Sequence, residues 1–312
     1  MEKMKTGVFN RLIWHNDEIV NVNDAKINVL SPTAQFGLNV FEGIRCYWNE
    51  EKKQLFVFRL EDHLKRLKRS QKLIQMEDKY TIEELKEAFF AVVKANNYQE
   101  DIAVRQTLYV EGFGSWASAG PINMFISPIP KAKTNVEYNK KGLHCCISSW
   151  QRIHDNALSP KIKCGANYMN SRMAQLEALK NGYDTTILLN KDGRISEGPG
   201  SCFFMVRDGT LVTPALTESV LESITRDTII RLAKEKLKIS IVERSIDRTE
   251  VYACDEAFLC GSAMEITPIF SIDRYTIGNG EIGETTAKIH EIYLELVTGK
   301  MNEYSEWVTP IY

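Results

Sequence analysis

The chain has 312 residues, 44% of them hydrophobic and 26% charged, with a net charge of −2. That length buries one large core or two moderate ones, and the balanced charge gives no reason to expect a nucleic acid or an anionic membrane as partner. No apolar run approaches the roughly 20 residues that span a bilayer, and the N-terminal residues carry no apolar signal core. The seven cysteines are odd in number and scattered, so they read as reduced thiols in a cytoplasmic protein rather than a disulfide framework. The five histidines show no ligand spacing, and no metal is expected.

Residues 10–22 read as a short hairpin turned at Asn16-Asp17, followed by a loop over 32–39. Strands follow at 40–48 and 55–58. Gly43 inside the first suggests a close backbone approach by another group. Residues 59–76 form a helix with Leu60, Leu64, Leu67 and Ile74 as its apolar stripe, and 81–96 form a second. Strands at 101–110 and 122–127 complete a small N-terminal α+β domain, residues 1–127. Between them, residues 111–121 are a glycine-bearing loop able to order over a substrate. Pro128-Ile129-Pro130 opens an expected linker, 128–137, because two prolines in three residues interrupt helix and strand alike.

The rest, 138–312, is a larger β-rich domain. A helix begins after Asn167, with Met169, Met173, Leu176 and Leu179 at helical spacing and a stop at Asn181-Gly182. A strand at 185–189 turns through Asn190-Lys191-Asp192-Gly193 and returns by Arg194, Ile195 and Ser196 to Glu197. Gly198-Pro199-Gly200 then leads to a strand at 202–206. Further helices span 224–237 and 284–298. Many short strands with a few helices fit an α+β class with a barrel-like sheet.

Three chemically distinct groups lie in the middle of this domain: the amine of Lys163, the phenol of Tyr168 and the carboxylate of Glu197. Taken singly, a lysine before a helix is a solvated residue and a glutamate in Ser-Glu-Gly is a turn residue. The combination is distinctive. The run Lys163-Cys164-Gly165-Ala166-Asn167-Tyr168 is followed by Ile195-Ser196-Glu197-Gly198, Ile224-Thr225-Arg226-Asp227 and Gly261-Ser262-Ala263-Met264-Glu265-Ile266-Thr267-Pro268. With Phe41-Glu42-Gly43-Ile44-Arg45, these segments resemble the class IV (fold type IV) pyridoxal-phosphate enzymes over nearly the whole chain. Their order and spacing are most similar to the branched-chain amino acid aminotransferases.

The resemblance implies a two-domain enzyme with the cofactor between the domains. It implies transfer of an amino group from a branched-chain L-amino acid to 2-oxoglutarate through a Schiff base on Lys163. That residue would also move the proton. A carboxylate at Glu197 would favour the protonated ring nitrogen, and Tyr168 would hydrogen-bond the cofactor's 3-oxygen. The phosphate would meet Arg66 in Glu61-Asp62-His63-Leu64-Lys65-Arg66-Leu67, together with Ser223, Ile224 and Thr225. These three open a helix, whose N-terminus favours an anion, although ordinary capping explains the serine equally well. The backbone of Ser262 and Ala263 would meet the substrate carboxylate, and the Ser262 hydroxyl the phosphate. Phe36, Phe41, Gly43, Arg45 and Arg105 would line the substrate pocket. Arg105 lies in an apolar-flanked strand, where a buried arginine requires a partner. The family also implies a homodimer or larger homo-oligomer, with a partner loop completing the pocket.

Five positions depart from the family pattern. Phe36 and Ala103 each stand where tyrosine is usual, Ser201-Cys202 where Glu-Asn is frequent, and Ser223 where glycine is common. The cofactor set is intact, so the departures concern the substrate, with room at Ala103 for one bulkier than valine. Within the same fold, a D-amino-acid transaminase or an aminodeoxychorismate lyase is the alternative. Phe-Glu-Gly-Ile-Arg and Arg105 count against both. A non-catalytic relative would be expected to have lost Lys163 or Glu197 first.

Overall fold

The computed structural model describes residues 10–134 and 141–312. Contacts divide the chain into two compact units. One contains the residues up to Lys133 with Ile162–Ala166 and Leu296–Tyr312; the other contains Thr134–Lys161 and Asn167–Glu295. Two segments beyond position 138 therefore pack with the first unit, and one of them carries Lys163. The expected domain start at 138 and the end of the expected linker lie outside the described residues.

The first unit begins with the hairpin β1 (Leu12–His15) and β2 (Glu18–Asn21). Asn16 and Asp17 both turn at positive φ, as a two-residue hairpin requires. Residues 32–36, expected in a loop, form a short helix α1 (Pro32–Phe36). Ser31 caps it, Pro32 fills its first turn and Gly37 ends it in the left-handed conformation. Five residues are too few to display a helical period.

Strands β3 (Asn39–Asn49) and β4 (Gln54–Phe58) precede helices α2 (Leu60–Leu73) and α3 (Ile82–Asn96), and β5 (Ile102–Val110) and β6 (Ile122–Pro130) follow. With the C-terminal strand Val308–Pro310 they make a seven-stranded sheet, antiparallel throughout, in which β3 and β5 are central. Helix α2 packs on β3, and α3 on β1 and β6. Their buried stripes, including Leu64, Leu67, Phe89 and Val92, are sealed from solvent. A capping box between Thr81 and Glu84 fixes the start of α3.

The Pro-Ile-Pro stretch is the end of β6, not linker. Lys131 donates its N–H to Asp101 O, so odd-numbered residues here face β5. Pro128 and Pro130 turn their N–H-less nitrogens the other way, beyond the pairing of β1 with Phe125 and Ile126. No ladder bond is lost, which is how a strand tolerates proline.

The second unit holds β7 (Leu143–Gln151), α4 (Asn167–Lys180), β8 (Thr185–Leu189), β9 (Glu197–Gly198), β10 (Ser201–Arg207) and β11 (Thr210–Thr213). Helix α5 (Ile224–Glu235), β12 (Ile241–Glu243), β13 (Glu256–Gly261), β14 (Glu265–Ile272), β15 (Tyr275–Thr276) and all but the last two residues of α6 (Glu284–Val297) complete it. The nine-stranded mixed sheet runs β12-β11-β10-β13-β14-β7-β8, with β9 on β10 and β15 on β14. It curls into a half-barrel over a core that includes Phe203, Met205, Leu259 and Ile272.

Helix α4 forms where the spacing expects it, with its large apolar side chains turned outward. Met169, Met173 and Leu179 are exposed, and the buried face is Asn167, Ser171, Ala174 and Ala178. Small side chains let the helix approach β7 and β8 closely, and Glu177 accepts hydrogen bonds from Ser148 and Ser149 of β7. All seven cysteines are buried and free. No described helix is long and apolar enough to cross a membrane.

Candidate active site

In the first unit the site is built on β3. Its residues alternate between two faces. Val40, Glu42, Ile44 and Cys46 share one face, and α2 supplies the partners of Glu42. Phe41, Gly43 and Arg45 share the other, opposite Thr107, Arg105 and Ala103 of β5. Lys163 is pinned at the start of this strand. Its carbonyl accepts from Phe41 N at 2.9 Å and its N–H donates to Ser70 Oγ of α2 at 3.1 Å. Cys164 bridges Val40, and Gly165 N donates to Asn39 Oδ1 at 3.2 Å. The amine of Lys163 lies 5.0 Å from the centre of the Phe41 ring.

The two arginines of the expected pocket differ from the sequence reading. Arg105 is exposed, with its guanidinium 3.5 Å above the same Phe41 ring. It escapes burial because its cross-strand neighbour is Gly43. A Cβ at Gly43 would meet nothing within 4 Å, so the close approach expected there is open space. Arg45 is the buried one, 2% exposed and 5.0 Å from the Tyr47 ring. Beside Arg105 and Thr107 is a cleft of about 300 Å³ walled by Ile27, Val29, Ala34 and Phe125. Phe36 is exposed at the end of α1, whereas Phe41 is buried.

Arg66 is turned inward on α2 while Lys65 and Arg69 are exposed. Its Nε and Nη2 donate to the two oxygens of Glu42 at 2.8 and 2.7 Å. His63 Nδ1 lies 2.7 Å from Glu42 Oε2. Burial alone would push the Glu42 carboxyl up, but the charge and hydrogen bonds of Arg66, aided by His63, outweigh it and hold it at about 2. Burial lowers the His63 pKa below its ordinary range despite the pull of Glu42, and the charge of Lys163 adds to the lowering. His63 is therefore neutral at pH 7 and donates from Nδ1. Sequence reading missed Glu42 and His63 as site residues. The available signal was a carboxylate at an inward position of a buried strand, with histidine and arginine three residues apart on the next helix.

In the second unit, Glu197 on β9 pairs in register with Cys202 of β10 and is buried. Arg152 Nε donates to its Oε1 at 2.8 Å and Leu221 N to its Oε2 at 3.1 Å, with the Cys202 thiol 3.9 Å from Oε2. Arg152, also buried, was not foreseen. Tyr168 lies half-exposed in the first turn of α4, close to Gly200. Ser223 caps α5, accepting from Arg226 N at 3.2 Å, and Thr225 is buried in its first turn. Ser262 and Ala263 occupy a three-residue turn between β13 and β14, closed by the pairing of Gly261 with Glu265. Among the described residues no group of histidine, cysteine and carboxylate side chains could hold a metal ion.

The first unit thus brings together Lys163, Phe41 and Arg105, with Arg66 reached through Glu42 and Ser70. The second gathers Glu197 with Arg152 and Cys202. Along the chain, Tyr168 follows Lys163 within a few residues.

The profile of the family described as Amino-transferase class IV matches residues 39–272. The branched-chain-amino-acid aminotransferase of Escherichia coli (strain K12) is 38% identical over 303 residues, 96% of this chain and 97% of the relative. The crystal structure of the branched-chain amino acid aminotransferase from Thermobaculum terrenum in its PLP form superposes with a TM-score of 0.92 at 43% identity, covering 98% and 99% of the two chains. That of the T.th. branched-chain amino acid aminotransferase complexed with N-(5'-phosphopyridoxyl)-L-glutamate gives 0.91 at 36%, covering 97% and 99%. This chain belongs to the class IV aminotransferases.

Proposed function

We propose that the chain exchanges an amino group between a branched-chain L-amino acid and 2-oxoglutarate, with Lys163 as the reacting amine and pyridoxal phosphate as cofactor. One observation carries this reading: Arg66, Lys163, Tyr168, Glu197 and Thr225 are all present within the stretch that matches the family. The donor set fits the cofactor. It offers an amine, a buried carboxylate, a buried guanidinium and a serine-capped helix start.

When bound, pyridoxal phosphate supplies an aldehyde for the amine and a ring that accepts electrons from Cα. Lys163 then holds the group and carries the proton to and from the substrate carbon. Glu197, paired with Arg152, favours a proton on the ring nitrogen. Tyr168 donates to the ring's 3-oxygen. Arg66, Ser223, Ile224, Thr225 and Ser262 serve the phosphate, and the Ser262-Ala263 backbone serves the substrate carboxylate. Phe36, Phe41, Gly43, Arg45 and Arg105 shape the pocket, with Arg105 the acceptor of glutamate's distal carboxylate. The glutamate adduct of the T.th. enzyme supports the 2-oxoglutarate half of this reading. Ala103 lies opposite Arg45, and its small side chain favours a substrate larger than valine. Phe113 and Trp116, exposed on the loop 111–121, fit the partner loop of a cytoplasmic homodimer.

The test is half-transamination. Single L-amino acids, then their D-forms, are added to the purified protein and the spectrum of bound cofactor is followed. A fast shift with L-leucine, L-isoleucine or L-valine is expected. A response confined to other amines would replace the substrate, and one confined to D-forms would replace the class. Lys163→Ala is expected to abolish the shift, with a rate loss of at least about a thousandfold.

A further inference from the structure

We propose that Glu42 and His63 are positioning residues that set the guanidinium of Arg66 for the cofactor's phosphate, an inference that rests on the cofactor reading above. A carboxylate beside an anion-binding arginine is at first sight counterproductive, because it repels the anion and offsets the cation. The surroundings explain it. Glu42 is fully buried and Arg66 is 4% exposed, so neither charge could stand alone there. Both carboxylate oxygens meet the Nε/Nη2 edge, a fork that fixes the plane of the guanidinium. His63 Nδ1 fixes the carboxylate in turn.

The arrangement also reaches the reacting amine. His63, Arg66 and Ser70 lie at i, i+3 and i+7, one face of α2, and Ser70 holds the backbone of Lys163. Glu42 is the neighbour of Phe41, whose N–H is tied to the Lys163 carbonyl. One strand and one helix face therefore locate the candidate phosphate ligand and the candidate amine together. Isolated cations on a solvated helix would leave both to rotamer chance. Lys65, next to Arg66, is a solvated cation whose partner Glu61 is exposed as well.

The test compares pyridoxal phosphate with pyridoxal, which lacks the phosphate, titrated into the full-length chain freed of cofactor. Glu42→Gln keeps the shape and removes the charge. Positioning requires that this variant bind pyridoxal phosphate about ten- to a hundredfold more weakly while its affinity for pyridoxal stays within about twofold. Simple charge arithmetic requires the reverse, tighter phosphate binding once the repelling carboxylate is gone, and that result overturns the proposal. Equal weakening toward both compounds also overturns it, since it marks general damage. His63→Leu and His63→Asn give a second route should Glu42→Gln fold poorly. The leucine variant is expected to lose phosphate-specific affinity and the asparagine, which keeps a donor near Nδ1, to recover it. Equal behaviour of the two overturns the role of His63. A native chain that binds neither compound overturns the cofactor reading itself, an outcome distinct from the others.

Discussion

Two buried ion pairs serve the two units, and they are mirror images in role. In the first unit Glu42 supports Arg66, and the arginine is the candidate working group. In the second Arg152 supports Glu197, and the carboxylate is the candidate working group. Each pair is nearly sealed from solvent, and each receives further donors: His63 in one, Leu221 N and the Cys202 thiol in the other. The difference shows why a functional charge inside a protein comes with a second residue that looks, in sequence, like nothing. Desolvation makes an isolated charge untenable, so every such group needs a counter-charge supplied by another element.

Removing the supporting partner of either pair should have the largest effect. Glu42→Gln and Arg152→Gln should each cost about 3–5 kcal/mol in urea unfolding, because each strands a buried charge. Replacing both members of one pair by neutral residues should recover part of that loss. Single variants with native stability would show that the pairs are not desolvated in solution.

Acid separates the pairs next. The Glu42 carboxyl is depressed from 4.5 to about 2 on folding. Its contribution, about 3 kcal/mol, is fully present above pH 4.5 and is lost as pH falls through about 2. His63 works the other way. Its pKa is lowered from an ordinary 6.5, so the unfolded chain binds the proton first and stability declines as pH falls below 6.5. Unfolding measured against pH should lose its steep acid limb in Glu42→Gln and flatten below pH 6.5 in His63→Asn. Unchanged profiles would contradict the burial of this trio.

A smaller effect is expected at the candidate anion site made of backbone rather than a charge pair. Ser223→Ala should destabilise by about 1 kcal/mol through loss of the cap, with weaker pyridoxal phosphate binding measured alongside. Smallest of all, Lys65→Gln should leave stability and cofactor affinity unchanged, since its partner Glu61 is solvated. A clear loss there would mean that the inward position of Arg66 is not what distinguishes it.

Much of the fold was legible because the signals were local. The stripe of α2, the helix at 81–96 and the turn at Asn16-Asp17 each rest on residues close in sequence. What failed was not local. The spacing of Met169, Met173, Leu176 and Leu179 gave the α4 helix but not its buried face, which is Asn167, Ser171, Ala174 and Ala178 because tertiary packing on β7 and β8 decides it. Pro128 and Pro130 read as breakers because the free edge of β6 is invisible in sequence. The burial of Arg105 was inferred from its apolar neighbours along the strand, but Gly43 across the ladder decides it. In the candidate site, Lys163 and Glu197 stood out through their motifs, while Glu42, His63 and Arg152 are defined by what they touch.

The segment Ile162–Ala166 belongs to the first unit although its neighbours on both sides belong to the second. The consequence is one of dissection. A gene cut after Lys133 would encode most of a seven-stranded sheet but lack its edge strand Val308–Pro310, and it would leave Ser70 without the backbone of Lys163. The reciprocal fragment would keep the lysine and lose the strand and helix that hold it. No single cut yields a piece containing both the amine and its mount together with all of one unit and nothing of the other. Exchange of one unit between chains of this architecture therefore needs more than one crossover.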